Sequence, residues 1–298
     1  MATNILDNTE PSELVLKTLS EHLPYSLPTL RRLQFMKSTG ARTANSHVLS
    51  TFDTGAPGKN FLVAYLDFSS GPNTEMWLYS TIENPAMTGD EDVCEQQILQ
   101  LLERASVIER EYKDQRENPG VLLIGSLHKK IVQLLERRSL VKMSSPEHFK
   151  FVFRTQDLPE ARELPDGLSW SSVRESDIPL VLSRTSIPYV AAAMKLLPSI
   201  AIETSTGVPI AWTFLGADGS LKTLHCEEEY RRQGLAKAVT LRLFHEKSAT
   251  LATDGLYHAD VAVNNLPSQG VCKSMRGTIE WSIYYTWVFL SREQDEGV

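Results

Sequence analysis

Two apolar stretches in the first half of the chain have the spacing and composition of paired strands. They are NFLVAYLDF (60–68) and EMWLYSTIE (75–83), and the turn-forming cluster SSGPNT separates them. This arrangement predicts a β-hairpin. The segment that follows, 89–115, has acidic residues in its first turn and apolar residues at helical spacing, which predicts a long amphipathic helix.

The first half continues with further strand and helix patterns and ends in a linker. The pattern predicts a buried strand over VLLIG (121–125), a helix over 126–138 and a strand over FKFVF (149–153). Residues 154–170 then contain two Leu-Pro steps and a Pro-Asp-Gly turn signal, which is typical of a linker. We therefore predict two domains, residues 1–162 and 163–298.

The second half has the same alternation of strands and helices. The pattern of residues 174–198 predicts one or two helices broken around Pro188. The pattern of residues 221–244 predicts a strand, a glycine turn and a helix. Further strands are predicted at 199–204, 210–216, 257–263 and 279–290, and a short helix is predicted at 268–275. The pattern indicates an α/β fold with a mixed sheet. The two halves share their order of elements only loosely.

Composition and charge narrow the class of protein. The 298 residues are 42% hydrophobic and 22% charged, as in a globular protein with a core, and the net charge of −7 argues against nucleic acid as a partner. Three widely separated cysteines fit a reducing compartment better than a disulfide framework. No apolar run reaches the length of a membrane span, and the acidic N-terminus resembles no targeting peptide. We therefore expect a cytoplasmic protein with no membrane partner.

The segment LKTLHCEEEYRRQGLAKAVTLRLF (221–244) places a single glycine where a charged turn becomes a helix. The first turn of a helix has N–H groups without internal partners and the positive end of the helix dipole, and a glycine there lets an anion approach the backbone. Two arginines precede Gly234. The segment fits a site for a diphosphate or a similar anion. A charged surface turn in which Gly234 relieves strain explains the same residues equally well.

The stretch RRQGLA (231–236) resembles the Arg/Gln-x-x-Gly-x-Gly/Ala signature of the GNAT acyltransferase superfamily. In that superfamily the backbone amides of this turn hold the pyrophosphate of acyl-coenzyme A. The neighbouring GVPIAWTF, YHADV and NNLPSQ resemble the C-terminal domain of glycine N-acyltransferase-like proteins, and HLPYSLPTLRRLQFM more faintly resembles their opening segment. The resemblance implies a degenerate GNAT-like first domain and a second GNAT domain that binds acyl-CoA or acetyl-CoA as co-substrate, without a metal.

The resemblance also assigns residues to the coenzyme. Backbone N–H groups of the turn would bind the pyrophosphate, two arginines would add charge, and the strand end from Leu224 to Cys226 would pair with the pantetheine arm. The Leu224 N–H would also polarise the thioester carbonyl, as an oxyanion donor does. The expected coenzyme-binding residues are Leu224, Cys226, Arg231, Arg232, Gln233, Gly234, Leu235, Ala236, Asn265 and Ser268.

At the positions of the usual acid and base of such a reaction, this sequence differs from the family pattern. Transfer to an amine needs a base, because the ammonium form is not nucleophilic. The carboxylate that often serves in the relatives falls at Ser220 or Leu221, and the tyrosine that commonly protonates the thiolate falls near Cys272. Both differences from the family pattern put glycine conjugation in doubt.

Several other side chains are candidates for proton transfer. His225 has a suitable pKa in principle, but strand alternation places it on the face opposite Leu224 and Lys222, which favours a core histidine over a catalytic one. His258 and Asp260 share one face of a strand, either as a structural pair or as a pair that faces the substrate. Glu227, Glu228 and Glu229 are more simply solvated carboxylates near a helix start. The candidate catalytic residues are therefore Leu224, His225, His258 and Asp260.

The sequence thus predicts an acyl-CoA-dependent N-acyltransferase that acts on a small amine or amino-acid-like acceptor in a ternary complex. Two alternatives stay open. One is a protein that binds acyl-CoA but has lost transfer, and the other is a GNAT-fold enzyme with different thioester chemistry, such as hydrolysis or carbon–carbon bond formation. The missing base favours the alternatives, whereas the intact RRQGLA turn favours the transferase.

Overall fold

The structure is a computed structural model. It describes residues 4–37, 41–52, 55–71, 73–87, 89–161, 163–187, 189–251 and 253–291. Contacts between residues divide the chain into two compact units. Unit 1 comprises Met1–Glu147 with Ser282–Val298, and unit 2 comprises His148–Trp281.

Unit 1 alternates short strands with helices. Its third and fourth helices have clear start signals, since Asp90 accepts hydrogen bonds from two N–H groups of the first turn of α3 and His128 accepts one at the start of α4. The elements are β1 Leu6–Asn8, α1 Glu13–Glu21, α2 Leu27–Lys37, β2 His47–Ser50, β3 Leu62–Leu66, β4 Met76–Ser80, α3 Glu91–Glu111, β5 Val121–His128, α4 Lys129–Arg137 and β6 Val141–Ser144.

Unit 2 contains the remaining elements. They are β7 His148–Arg154, β8 Leu168–Ser171, α5 Ile178–Ser183, α6 Ala191–Met194, β9 Ser199–Thr204, β10 Pro209–Leu215, β11 Leu221–Cys226, α7 Leu235–Leu251, β12 Leu256–Ala262, α8 Leu266–Ser274 and β13 Thr278–Phe289. Strand β13 begins in unit 2 and, from Ser282 onward, belongs to unit 1.

The sheet of unit 1 is mixed. Strands β1 to β4 pair in antiparallel order, β4 meets β5 in parallel at the single pair Met76↔Ile124, and β13 pairs antiparallel with β5 and β6. Alternation along β3 sends Leu62 and Ala64 into a core with α3 and α4, and Val63 and Tyr65 into a core with α1 and α2. Burial on both faces explains the unbroken apolar run of this strand.

Unit 2 contains a four-stranded antiparallel sheet with the order β11-β10-β9-β8. Helix α7 covers one face, where Leu235 and Val239 join a core with Ile200 and Ile202, and α5 and α6 cover the other face around Trp212. Strand β7 pairs with β12 along its length, from Leu256↔Arg154 to Ala262↔His148. Because of this pairing, unit 2 begins earlier than the predicted boundary at residue 162, a residue that lies outside the described ranges.

The two units have the same order of elements. Each runs strand, helix, helix, three strands, long helix, strand, helix and strand, from β1 to β6 in unit 1 and from β8 to β13 in unit 2. In unit 1 the strand before the long helix meets the strand after it in parallel at Met76↔Ile124. In unit 2 Ser220, the residue directly before β11, forms a parallel bridge with His258 of β12. The sequence predicted only a loose likeness, so the correspondence is closer than expected.

Most predicted elements are present. The hairpin, the long helix and the strands at 199–204 and 221–226 agree with β3–β4, α3, β9 and β11. The predicted helix at 126–138 starts later, because residues 126–128 extend β5. The predicted break at Pro188 falls on a residue outside the described ranges. Among the described residues, no helix has the length and apolar character needed to span a membrane.

Candidate functional site

The turn between β11 and α7 has two residues in the left-handed backbone region. Arg232 has a φ of 65° and Gly234 a φ of 82°. A Cβ built on Gly234 would meet no atom within 4 Å, so the backbone conformation, not crowding, accounts for the glycine. The Nε of Arg231 donates to the Cys226 carbonyl at 3.1 Å, which closes the turn at its base. The space above Gly234 is open.

The start of α7 presents unpaired N–H groups beside this open space. The first backbone bond of the helix runs from Ala238 N to Gly234 O at 3.0 Å. No backbone N–H from Arg232 to Lys237 has a partner among the residues that the structure describes. The side chains of Arg231 and Arg232 are exposed, whereas Leu235 is buried and anchors the helix in the core. This geometry has the properties of an anion-binding turn.

Strand β11 contains a β-bulge next to this turn. Trp212 pairs with His225 and Phe214 pairs with Lys222, so Thr223 and Leu224 both stand opposite one residue of β10. Thr223 has a φ of 49°, which is unusual for a β-branched residue. A bulge leaves one residue outside the ladder. The predicted oxyanion donor, Leu224, therefore lies in an irregular part of the strand.

The outer edge of β11 is open within unit 2. This strand is the last in its sheet, and in the described part of the chain its contact with β12 as paired strands is the single bridge Ser220↔His258. Beyond that bridge, no strand among the described residues pairs with residues 221–226 on the outer side. An extended ligand could add to such an edge through backbone hydrogen bonds.

The bulge also changes which side chains share a face. Regular alternation would place His225 opposite Lys222. Instead the His225 ring stacks on Trp212, and the Lys222 ammonium lies 5.9 Å from the Tyr189 ring centre, both on the α5–α6 side of the sheet. Because the extra residue resets the alternation, the prediction that they lie on opposite faces is wrong.

His258 is completely buried in a polar cluster. Its Nε2 lies 2.8 Å from the Asp218 carbonyl oxygen and its Nδ1 lies 3.0 Å from the Lys150 Nζ. A carbonyl only accepts, so Nε2 carries the proton and Nδ1 accepts from the lysine ammonium. Lys150 is also completely buried and forms an ion pair with Asp260. Both ring nitrogens of His258 are thus engaged.

The carboxylates of this cluster are strongly ionised. Burial would raise the pKa of Asp218, but the nearby charge of the Lys222 ammonium and a hydrogen bond from Ser220 outweigh it and lower the pKa to about 2. Burial likewise opposes ionisation of Asp260, and the Lys150 ammonium overrides it, so the pKa of Asp260 is lowered. Ser220 Oγ donates to Asp218 Oδ1 at 2.6 Å, so its hydroxyl is already in use.

The cluster contains two residues that were not among the predicted site residues, Lys150 and Asp218. Lys150 interrupts the apolar run FKFVF, and a lone charge at an inward position of a buried strand was the available signal. Asp218 was hidden in a turn pattern, ADGS. The catalytic assignment of His258 and Asp260 stays a prediction, and the full burial of His258 together with the ion pair of Asp260 fits the structural alternative that was left open.

His225 has different surroundings. Its ring stacks on Trp212 with centres 4.6 Å apart and an angle of 23°. Its Nε2 lies 3.5 Å from Glu227 Oε2, and the other oxygen of that carboxylate accepts from Arg184 Nε at 2.9 Å. Burial lowers the pKa of His225 while Glu227 raises it, and the net direction is down. Of the three glutamates, Glu227 alone has both these contacts among the described residues.

The remaining predicted coenzyme residues lie at strand and helix ends. Cys226 is half-buried, and burial raises the pKa of its thiol. Asn265 caps α8, where its Oδ1 accepts from Ser268 N at 3.2 Å. The predicted contacts of Cys226, Asn265 and Ser268 with the coenzyme stay predictions.

The corresponding turn of unit 1 is chemically different. By element order it lies between β4 and α3. Helix α3 begins with exposed Glu91 and Asp92, and the Asp90 carboxylate accepts from Asp92 N at 3.0 Å and Val93 N at 3.4 Å. These carboxylates satisfy and shield the N–H groups that an anion would need.

Comparison with known proteins places the fold in one class. Residues 2–159 match the family described as the N-terminal domain of acyl-CoA N-acyltransferase verG, and the chain belongs to that family. It is a GNAT-superfamily protein with the mixed α/β architecture of that class. No curated protein matches the sequence.

Solved structures agree on the fold. A Drosophila protein is 16% identical with a TM-score of 0.58, over 91% of this chain and 85% of that chain. A tandem GNAT protein from the clavulanic acid biosynthesis pathway is 10% identical with a TM-score of 0.53, over 96% and 98%. A GCN5-related N-acetyltransferase from Kribbella flavida is 13% identical with a TM-score of 0.51, over 76% and 86%.

Proposed function

We propose that this chain is an acyl-CoA-dependent N-acyltransferase that passes an acyl group directly to a small amine or amino-acid-like acceptor in a ternary complex. Membership in an acyl-CoA N-acyltransferase family supports the proposal. The observation that carries it is the junction of β11 and α7, where unpaired N–H groups, two exposed arginines and an open, bulged strand edge adjoin.

The coenzyme binds along this junction in our proposal. The N–H groups of Gln233 to Ala236 hold the diphosphate, with Arg231 and Arg232 beside it, because amides at a helix start and guanidinium groups both favour anions. The pantetheine arm adds to the free edge of β11 between Leu224 and Cys226. Asn265 and Ser268 contact the coenzyme at the start of α8. Acyl-CoA or acetyl-CoA is a co-substrate, and no metal takes part.

Transfer follows from this placement. The acceptor nitrogen attacks the thioester carbonyl carbon, the carbon–sulfur bond breaks, and the coenzyme leaves as its thiolate while the nitrogen loses a proton. The Leu224 N–H stabilises the negative charge that develops on the carbonyl oxygen, an effect that can be worth about 3 kcal/mol. His225, His258 and Asp260 are the candidate groups for the proton.

Unit 1 has no coenzyme site of its own in this proposal, and residues 163–298 form the catalytic domain. The acidic start of α3 supports this division. A cytoplasmic location fits the free cysteines Cys94, Cys226 and Cys272.

A protein that binds acyl-CoA without transfer is the second candidate. One observation favours it: Ser220, which occupies the position of the usual carboxylate base, donates its hydroxyl to Asp218. The position therefore offers no proton acceptor.

Coenzyme release distinguishes the two candidates. The purified chain is incubated with acetyl-CoA and longer acyl-CoAs, with and without a panel of amines and amino acids. Thiol release is followed optically, and products are weighed by mass spectrometry. Acceptor-dependent release with an N-acyl product supports the transferase. Coenzyme binding without release contradicts it, and release with only a free acid product indicates hydrolysis.

A further inference from the structure

His225 lies at the end of β11, one residue beyond Leu224, and its ring is fixed from two sides. Trp212, fully buried, stacks against the ring face at 4.6 Å. The Glu227 carboxylate faces the ring edge at 3.5 Å. Two contacts at right angles restrict both the tilt and the rotation of an imidazole, which gives this side chain a defined direction.

Glu227 is itself held in place. Its Oε1 accepts from Arg184 Nε at 2.9 Å, so its Oε2 is left for His225. Arg184 directly follows α5, and Glu227 directly follows β11. The carboxylate therefore links the end of one element to the end of another, with the histidine on its other side.

The carboxylate decides which ring nitrogen of His225 carries the proton. A carboxylate only accepts, so it favours the tautomer with hydrogen on Nε2. At 3.5 Å the contact is electrostatic rather than a closed hydrogen bond, and Nε2 is buried without another partner among the described residues. The lone pair is then on Nδ1, which has no hydrogen-bond partner within the described part of the chain.

The other candidates are already engaged. Both nitrogens of His258 are bonded and the residue is fully buried. Asp260 forms an ion pair with the equally buried Lys150, and Ser220 donates to Asp218. His225, in contrast, keeps 17% of its side chain exposed next to the open edge of β11.

We propose that His225 Nδ1 accepts the proton of the attacking amine, and that Glu227, held by Arg184, is the positioning residue for His225. The proposal rests on the transferase function proposed above. As the nitrogen bonds to the carbonyl carbon and the thiolate leaves, one N–H proton moves to Nδ1. The imidazolium that forms faces the Glu227 carboxylate, and its proton then passes to the thiolate or to water, which restores the neutral ring.

The charges around His225 set the pH at which it can act. Glu227 raises its pKa, whereas burial, Arg231 and Arg184 lower it. Lys222 lies on the same face of β11. Because the net shift is downward, the ring is neutral and able to accept a proton at neutral pH. Activity should fall as the pH drops through the pKa of His225.

The first test needs no turnover. The His225 ring signals are titrated by NMR in the wild type, in Glu227→Gln and in Glu229→Gln, the last being a matched control on the same turn with an exposed carboxylate. Removing the facing charge should lower the pKa of His225 by roughly half to one unit, and the control should not move it. An unchanged pKa in Glu227→Gln overturns the positioning role.

The second test uses the reaction itself. His225→Gln should lower kcat/KM by about 100-fold or more at unchanged coenzyme affinity. Glu227→Gln should shift the acid limb of the kcat/KM profile to lower pH and reduce kcat, while Glu229→Gln retains the wild-type profile. Turnover that survives His225→Gln overturns this proposal alone. A wild type that binds acyl-CoA but acylates no acceptor overturns the proposed function as well.

Discussion

At the scale of single residues, the backbone conformation explains the choice of amino acid in the candidate site. Gly234 has a φ of 82°, a region that L-residues with a Cβ avoid. The glycine would be needed here even without a ligand. Its presence in the sequence therefore could not by itself separate an anion site from a strained surface turn.

Replacing Gly234 by alanine separates these two roles. The new Cβ meets no protein atom but enters the space in which we place the diphosphate, so coenzyme affinity should fall at least tenfold. The backbone strain should cost about 1 kcal/mol of unfolding free energy. Calorimetry with CoA and urea unfolding measure the two effects.

Gly167 supplies the matched control. It has a φ of 81° and equally open surroundings in the turn before β8. Gly167→Ala should lose a similar free energy of unfolding and bind CoA normally. Equal affinities in both variants would remove the main support for a diphosphate at this turn.

At the scale of elements, the β7–β12 pair depends on charges in a position where apolar residues are usual. Lys150 on β7 faces Asp260 and His258 on β12; Lys150 and His258 are fully buried, and the Asp260 side chain is 4% exposed. An ion pair of this kind adds little net stability over apolar residues, but loss of one partner leaves a buried charge uncompensated.

Lys150→Met should therefore be severely destabilising. We expect a loss of about 3–5 kcal/mol in the free energy of unfolding, because Asp260 loses its ammonium partner. Lys150→Met with Asp260→Asn should recover part of this loss. Lys142→Met, at an exposed lysine of β6, should stay within about 0.5 kcal/mol of wild type. A Lys150→Met protein as stable as that control would refute the role of the ion pair.

The junction of β5 and α4 makes the free energy of unfolding depend on pH. His128 caps α4 through its Nδ1, which accepts from Lys130 N at 3.1 Å, and burial lowers its pKa to about 4. In the unfolded chain His128 binds a proton at about pH 6.5, whereas in the folded chain it stays neutral down to about pH 4. The contribution of His128 to the free energy of unfolding is therefore complete above about pH 6.5 and is lost as the pH falls toward 4.

His128→Asn keeps a capping acceptor and removes the titration. Between pH 7 and pH 5, the wild type should lose about 2 kcal/mol more than the variant in the free energy of unfolding. Urea denaturation at the two pH values measures the difference. Parallel losses in both proteins would mean that other groups account for the acid sensitivity.

The sequence predicts elements better than it predicts their irregularities. Period-2 and period-3.6 patterns located β9, β11 and α3, because burial on one or both faces dictates those patterns. The bulge at Thr223 leaves no such pattern, and it reversed the expected facing of His225 and Lys222. The partnership of Lys150 with β12 depends on residues more than 100 positions away, as the separation of Lys150 and His258 illustrates, so no local pattern contains it.

At the scale of the whole molecule, the two units share their order of elements but differ in charge at one equivalent point. Unit 2 presents Arg231, Arg232 and free N–H groups at the start of its long helix, whereas unit 1 presents Asp90, Glu91 and Asp92. The shared order of elements would allow two coenzyme sites, and the opposite charges of the two turns lead us to expect one.

Coenzyme binding should therefore saturate at one equivalent per chain. Isothermal calorimetry with CoA measures the number, and the heat should be greatly reduced in Gly234→Ala at the same concentrations. We expect that single site to fill while the acidic residues at the start of α3 are still present. Two equivalents at saturation would contradict the assignment of unit 1 as degenerate.

Strand β13 has a consequence for how the chain is made. Val288 near its end and Leu290 just beyond it belong to the core of unit 1, although all of unit 2 precedes them in the sequence. On the ribosome, unit 1 emerges first but lacks the strand that pairs with β5 and β6. Synthesis from the N-terminus usually lets the first domain fold first. Here the first unit to emerge is completed only after unit 2 has been made, and until then its sheet has an open edge at β5.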